Sequence, residues 1–442
     1  MVHGSADISM REFDPRRFGA YADKKWQVVK AREDYCLRHE IPFPHFNRTA
    51  GRPVKPSPLY KTLKGKGAVF EEVYGHERPR WFATDGMEPV DQYSFRRNAV
   101  HERIGKEVES VRQRVGIMDI TAFSKVEVIG DESEAFLDVL VANNMPRKTG
   151  SAILTHILNH RGRIELEVTI VKLAEQRYYI VCAAFFEQRL LDHLARYQTL
   201  RQVEIINRSG SWAALALQGP RSRDVLAENT DARLDNKNFR WLSAQQITVA
   251  GQPVIAIRMS YSGELGWEIH APNESVLAVY EALWKSGVRH GIANYGSFAM
   301  NIMRMEKCFK GASELTNEVT LPEADVMRFV AMDKGDFVGR QQTAQSLAGE
   351  LPWVCAYLEL ESDGIRDGHG GEPVLFNDEV VGAISSIVYG HTVKKGLAFA
   401  FIKPFAAVPG TRLTVMVMGN RRNAIVRAEA AYDPDSLLPR KD

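Results

Sequence analysis

The sequence predicts an α+β protein that ends in a small β-barrel. Two observations carry this. Strands and amphipathic helices intermix along the first three quarters of the chain, with hairpins among them, which argues against a doubly wound parallel sheet. After Gly349 the pattern changes to short strands separated by Gly/Asp turns, as in Val354–Leu360, Val380–Ser386, Leu397–Ile402 and Arg412–Val417.

The elements follow in order. Residues 1–10 are expected to be disordered. Residues 20–40 read as a charged helix with Trp26, Val29 and Cys36 on its apolar side. Ile41 to Pro89 is rich in proline and glycine and reads as an extended arm rather than a regular domain. An arm of this length usually wraps another surface. Val100, Ile104, Val108, Val111 and Val115 recur every three or four residues and predict a helix over 97–115. A strand over Ser124–Gly130 and a helix carrying Phe136, Leu137 and Leu140 come next. In the strand over 164–170, Ile164, Leu166, Val168 and Ile170 point one way, and Glu165, Glu167 and Thr169 the other. Arg177–Ala183 extends as a strand, Phe186–Tyr197 as a helix and Ala213–Leu217 as an apolar strand. Gly219 and Pro220 break that strand and open another helix. Gln246–Val249 and Pro253–Met259 form a hairpin, and Val276–Trp284 and Phe298–Phe309 are further helices. The expected organisation is an N-terminal helix and arm (1–92), a central domain (93–348) and a barrel (349–442).

Composition narrows the function. Lys+Arg 57 against Asp+Glu 55 leaves a formal charge of +2, so neither nucleic acid nor an anionic membrane surface is an expected partner. No run approaches the ~18 apolar residues of a membrane helix. The first 30 residues carry charges throughout, so no signal peptide is expected. The 4 cysteines lie far apart with no CxxC pair, which suits a reducing cytoplasm. There is no GxxxxGK[ST], GxGxxG, HExxH or GxSxG motif. His156 and His160 have helical metal-ligand spacing, but Asn159-His160-Arg161-Gly162 reads as a turn between strands, and no metal site is expected.

Several blocks, in order, resemble the glycine-cleavage T-protein (aminomethyltransferase) family, in particular the folate-binding C-terminal half of dimethylglycine and sarcosine dehydrogenases. They are GRPVKPSPLYKTLKGKGAVFEEVYGHERPRWF (51–82), YSFRRNAVHERIGKEVESVRQRVGIMDITAFSKVEVIG (93–130), LTHILNHRGRIELEVTI (154–170), LQGPRSRDVL (217–226), SYSGELGWEIH (260–270), MRMEKCFKGASELTNEVT (303–320) and YDPDSLLPR (432–440). The resemblance implies three subdomains in a ring around a central tetrahydrofolate site. Those dehydrogenases place an FAD domain in front of this region. None is visible here, so the chain alone is not expected to oxidise an amine.

The resemblance also implies roles for particular residues. Glu268 matches the carboxylate that accepts the pterin's row of donors as a charge-assisted pair, and Trp267 precedes it. Tyr261 matches a tyrosine next to the reacting centre. Glu167 stands where the family usually carries an Asp close to the reactive nitrogens of folate. The carboxylate is kept, one methylene longer. Arg304 and Glu306 match an Arg-x-Glu that contributes to the cofactor pocket; an internal ion pair fixing the helix is the alternative. Asn301 stands where many relatives have a further Arg. Arg440 matches a C-terminal Arg that approaches folate. His156 lies on the strand leading to Glu167, and imidazole suits proton transfer near neutral pH. On the substrate side, Cys182-Ala183-Ala184-Phe185-Phe186 and Met300, Met303 and Met305 replace more polar stretches, which leans the donor towards a small, aromatic-tolerant molecule.

The expected activity is a tetrahydrofolate-dependent one-carbon transfer, a demethylase or methylene transferase acting on an O-, N- or S-linked small-molecule donor. Two alternatives stand beside it. One is the folate subunit of a split dimethylglycine/sarcosine-type dehydrogenase whose flavoprotein is a separate polypeptide. The other is a non-catalytic folate-binding regulatory protein.

Overall fold

Two β-sheets face each other, and a closed barrel is locked against them through one helix pair. The computed structural model describes residues 13–199 and 201–442; the disorder expected for 1–10 falls outside the described residues.

The first sheet has five strands in the order Ala152–Leu158, Ile164–Ala174, Arg177–Cys182, Ser124–Ile129, Glu204–Asn207. Strand alternation gives it two apolar faces. Val126, Val128, Leu166, Val168, Ile170 and Ile180 pack on the helices Ser133–Asp138 and Glu187–Gln198. Val171, Tyr179 and Val181 turn the other way.

The second sheet has six strands in the order Ser243–Val249, Gln252–Arg258, Gly266–Pro272, Trp212–Gln218, Val115–Asp119, Ile292–Asn294. Its outer face (Ile117, Leu215, Leu217, Trp267, Ile269) forms the largest core, with residues of the helices Ser222–Ala227 and Val276–Gly287. Its inner face is shared. Ile255 and Ile257 meet Tyr179 and Val181 of the first sheet. Met118, Ala214 and Ala216 pack on the helices Ala99–Gln113 and Ser297–Glu306. The mixture of hairpins and crossing helices is the α+β architecture expected from the sequence.

The helix Ala99–Gln113 forms where the periodic valines predict it. Asn98 caps it by accepting from Val100 N at 3.0 Å, satisfying an amide that the helix leaves unpaired. The arm departs from expectation. Instead of extended chain throughout, it contains the helix Tyr60–Gly65 and an antiparallel hairpin, Ala68–Val73 with His76–Phe82. Tyr74 (φ 49°) and Gly75 (φ 84°) make its tight turn, the two-residue connection that matches strand twist. Trp81 of the hairpin is fully buried on the helix pair. The strand that carries Trp81 passes so close that a Cβ on Gly296 would lie 2.1 Å from the Arg80 carbonyl. Glycine there lets the start of the helix Ser297–Glu306 pass directly beneath the hairpin.

The barrel closes in the order Val354–Leu360, Lys395–Ile402, Glu379–Gly390, Pro373–Phe376, Arg412–Val417, Asn420–Arg427. Met305 of the helix Ser297–Glu306 packs with Tyr357 and Phe399 of the barrel. A buried ion cluster reinforces this joint. Arg112 donates to Glu264 Oε1 (2.9 Å), to Glu306 Oε2 (2.7 Å) and to the Ser262 carbonyl (2.7 Å). Glu306 also accepts from Thr392 N and Thr392 Oγ1, both at 2.7 Å. Tyr432 donates to Glu264 at 2.8 Å, and its ring lies 4.0 Å from the Arg112 guanidinium. Burial raises the Glu264 carboxyl, and Arg112 is the strongest force opposing that rise.

Removing Arg112 would strand two buried carboxylates. Arg112→Ala is expected to cost about 3–5 kcal/mol, read as a lower urea midpoint with an unchanged m-value. An unchanged midpoint would show that the cluster does not hold the units together.

Candidate functional site

Between the two sheets lies a strip where polar side chains interrupt the apolar packing. Glu167 pairs across strands with His156, and its Oε2 lies 3.7 Å from His156 Nε2. Glu167 keeps a quarter of its side chain exposed (25%), while His156 is fully enclosed (0%). Neither His156 nitrogen has a hydrogen-bond partner, although both atoms are buried. Buried polar groups of this kind call for a partner outside the protein, such as a water or a ligand. The Phe329 ring lies 6.1 Å from the imidazole. Glu165, two residues along the same face, is buried rather than facing water.

Tyr261 belongs to the loop after the strand Gln252–Arg258. Its hydroxyl donates to the Lys310 carbonyl at 2.8 Å and its ring stacks on Phe309 at 6.1 Å and 21°. Burial raises its phenol well above the ordinary tyrosine value; Glu167 and Glu314 push it further up and Arg304 opposes them. The phenol therefore stays protonated at any physiological pH.

Glu268 lies on the inner face of the six-stranded sheet, with 13% of its side chain exposed. Its Oε2 is 3.4 Å from His270 Nε2, and His270 Nδ1 is 3.0 Å from the hydroxyl of Tyr179 on the opposite sheet. Burial lowers the His270 imidazole while Glu268 opposes that shift, so the chain Tyr179–His270–Glu268 links the sheets through a neutral ring.

The other residues singled out in the sequence lie elsewhere. Trp267 points to the opposite face from Glu268, into the outer core, where its ring centroid is 6.1 Å from that of Phe239. Arg440 is exposed in the turn Leu438–Arg440, whose backbone is held by Asn236, with Arg258 and Arg223 binding the residues on either side. This is the outer side of the six-stranded sheet, so neither residue joins the strip. Arg304 and Glu306 do not pair with each other. Arg304 binds Asn301 Oδ1 (2.9 Å), Glu314 Oε2 (3.0 Å) and Ser386 Oγ (3.2 Å), whereas Glu306 is saturated by Arg112 and Thr392. Asn301, where relatives carry a further Arg, orients Arg304. Cys182 and Phe186 pack in the helix-side core, and Met303 and Met305 are fully buried, so these apolar residues build cores.

Tyr179 and His270 escaped the sequence reading; their contact joins two sheets and leaves no local signal along the chain.

Residues 59–334 match the GCVT N-terminal domain family, and residues 355–433 the glycine cleavage T-protein C-terminal barrel domain. The chain belongs to the glycine-cleavage T-protein family. Its T-protein fold is matched by the aminomethyltransferase T of the glycine cleavage system from Bartonella henselae, with a TM-score of 0.75 at 22% identity over 86% of this chain and 98% of that one. Human mitochondrial dimethylglycine dehydrogenase is 33% identical over 97% of this chain and 50% of its own length. An aminomethyltransferase of Thermoanaerobacter sp. is 27% identical over 75% of this chain and 90% of its own. The chain spans about half the length of the dehydrogenases it matches. Residues 3–57 match a further family, the FAD dependent oxidoreductase central domain. Among the described residues, no helix is long and apolar enough to cross a membrane, and no group of three or more His, Cys, Asp or Glu could hold a metal ion.

Two substitutions separate the strip from the outer surface. Tyr179→Phe leaves the His270 ring without its inter-sheet partner and is expected to lower stability by about 1–3 kcal/mol, read by thermal melting. Arg440→Ala is expected to stay within about 0.5 kcal/mol of wild type and to leave folate affinity unchanged; a clear loss of affinity would bring the C-terminal turn into the site.

Proposed function

We propose that this chain is a tetrahydrofolate-dependent one-carbon transferase, a demethylase or methylene transferase acting on a small O-, N- or S-linked donor. The observation that carries the reading is the partly exposed Glu167 carboxylate, backed by an enclosed, unpartnered His156 and facing the strip that holds Glu268. The donor set suits the cofactor. A carboxylate on a strand can accept two adjacent pterin N–H groups, and the unbonded nitrogens of His156 leave polar capacity unspent beside Glu167. When bound, tetrahydrofolate supplies the nucleophilic 5-nitrogen.

The chain's own residues have separable roles. Glu268 binds and orients the pterin, with His270 and Tyr179 behind it. Glu167 stabilises positive charge developing on the migrating carbon. His156 holds or moves a proton at Nε2, 3.7 Å from that carboxylate. Tyr261, kept protonated by burial, holds its proton at the hydroxyl and closes one side of the site. Arg304 and Glu306 hold the supporting helix in place through their buried partners.

A second reading rests on the match of residues 3–57 to the FAD dependent oxidoreductase central domain. In it the chain receives its one-carbon unit from a flavoprotein that oxidises a methylated amine. A yellow protein retained with the chain, and product formation only in its presence, would favour this route.

The test is incubation with tetrahydrofolate and candidate donors, following product folates by absorbance and mass. Methyl- or methylene-tetrahydrofolate is expected; folate binding without any product, with every donor and with the flavoprotein supplied, would refute the enzyme reading. Glu167→Ala is expected to lower turnover by about 10²–10⁴-fold with little change in folate affinity. Glu268→Ala is expected to weaken folate binding by about 10–100-fold. Equal effects of both changes on both quantities would contradict these roles.

A further inference from the structure

Tyr179, His270 and Glu268 form one row of polar contacts between the two sheets. Glu268 and His270 are two residues apart on the strand Gly266–Pro272, so their side chains share its inner face. Tyr179 comes from the strand Arg177–Cys182 of the other sheet. Its hydroxyl lies 3.0 Å from His270 Nδ1, and His270 Nε2 lies 3.4 Å from Glu268 Oε2. The imidazole and the phenol are fully enclosed, whereas Glu268 keeps 13% of its side chain exposed. The row therefore begins inside the core and ends on a carboxylate that a ligand can reach.

These contacts fix where the protons sit. The enclosed ring is neutral, because burial lowers His270, and it carries one proton. Tyr179 is raised by burial and keeps its phenolic proton. With the ring proton on Nδ1, Nε2 would turn a lone pair towards a carboxylate oxygen, and the phenolic proton would lose its acceptor. With the ring proton on Nε2, the phenol donates to Nδ1 and Nε2–H donates to Glu268. For a neutral ring, only the second arrangement makes both contacts hydrogen bonds.

We propose that Tyr179 and His270 are positioning residues for Glu268. The Tyr179 hydroxyl holds the imidazole as its Nε2–H tautomer, and that N–H holds one Glu268 oxygen, so that the carboxylate meets a pterin in a single orientation. The inference rests on the folate reading above and adds to it two residues and a proton arrangement.

A glutamate side chain is flexible, and ordering it on a ligand costs conformational entropy. A bond from Nε2–H orders Glu268 during folding instead, which strengthens binding by preorganisation. Oε1 and the second lone pair of Oε2 stay available to two adjacent N–H donors of the ligand. Because Tyr179 holds the imidazole in turn, affinity depends on a fully enclosed hydroxyl of the opposite sheet. Ligand binding at Glu268 is thereby coupled to the packing of one sheet on the other.

The experiment is a binding titration of the full chain with 5-formyltetrahydrofolate, for wild type, His270→Leu, His270→Gln and Tyr179→Phe. A glutamine amide can accept from Tyr179 and donate to Glu268, whereas leucine does neither. His270→Leu is expected to weaken binding about tenfold and Tyr179→Phe about 3–10-fold, with His270→Gln within about threefold of wild type. A loss in His270→Gln as large as in His270→Leu, or no loss in any variant, would overturn the positioning role and leave the folate reading standing. A wild-type chain that binds no 5-formyltetrahydrofolate would refute both. Where a variant does not fold, the nitrogen NMR spectrum of the wild-type histidines decides. A neutral His270 ring protonated at Nε2 is expected, and protonation at Nδ1 or at both nitrogens would overturn the proposal.

Discussion

Arg112 is the charge on which the joint between the six-stranded sheet, its helix pair and the barrel depends. It leaves the last turn of the helix Ala99–Gln113 and reaches between Glu264, on the loop preceding the Glu268 strand, and Glu306, at the end of the helix Ser297–Glu306. Glu306 in turn takes both donors of Thr392 in a barrel turn, and Tyr432 closes the cluster from the C-terminal segment. A buried cation between two buried carboxylates is worth little over an apolar replacement, yet it is costly to leave half made. Its value lies in geometry: five segments distant in sequence must meet in one arrangement for every charge to be satisfied.

The candidate site, too, is not contained in one unit. Glu167 and His156 come from the five-stranded sheet, Glu268 and His270 from the six-stranded sheet, and Tyr261 from a loop braced by Lys310 and Phe309. The inner faces could have packed as an apolar sandwich, as Ile255, Ile257, Tyr179 and Val181 do. The polar strip beside them carries a stability cost, partly offset by the Tyr179–His270–Glu268 chain and left open at His156. Costs of this kind persist where a ligand completes the bonding.

Much of this was legible beforehand. The period-3.6 valines marked the helix Ala99–Gln113, and strand alternation around Glu167 placed that carboxylate on the face opposite Leu166 and Val168. The change of pattern after Gly349 marked the barrel, and ordered blocks of resemblance pointed to the T-protein family. The hairpin in the arm was less visible because its turn, Tyr74-Gly75, lies within a stretch already crowded with glycine and proline. The partners of Arg304 and Glu306 could not be read either: local spacing suggested one ion pair, and the structure makes two with residues far away in sequence.

The sequence by itself determined which residues alternate, which helices are amphipathic and which carboxylates lie on buried strands, because these follow from local periodicity. Only the tertiary structure decided which faces meet. It turned Trp267 away from Glu268, carried Arg440 to the outer surface, and brought Tyr179 of one sheet onto His270 of the other. The physical reason is that facing sheets are positioned by non-local packing and by buried charges that need distant partners, and neither leaves a periodic trace along the chain.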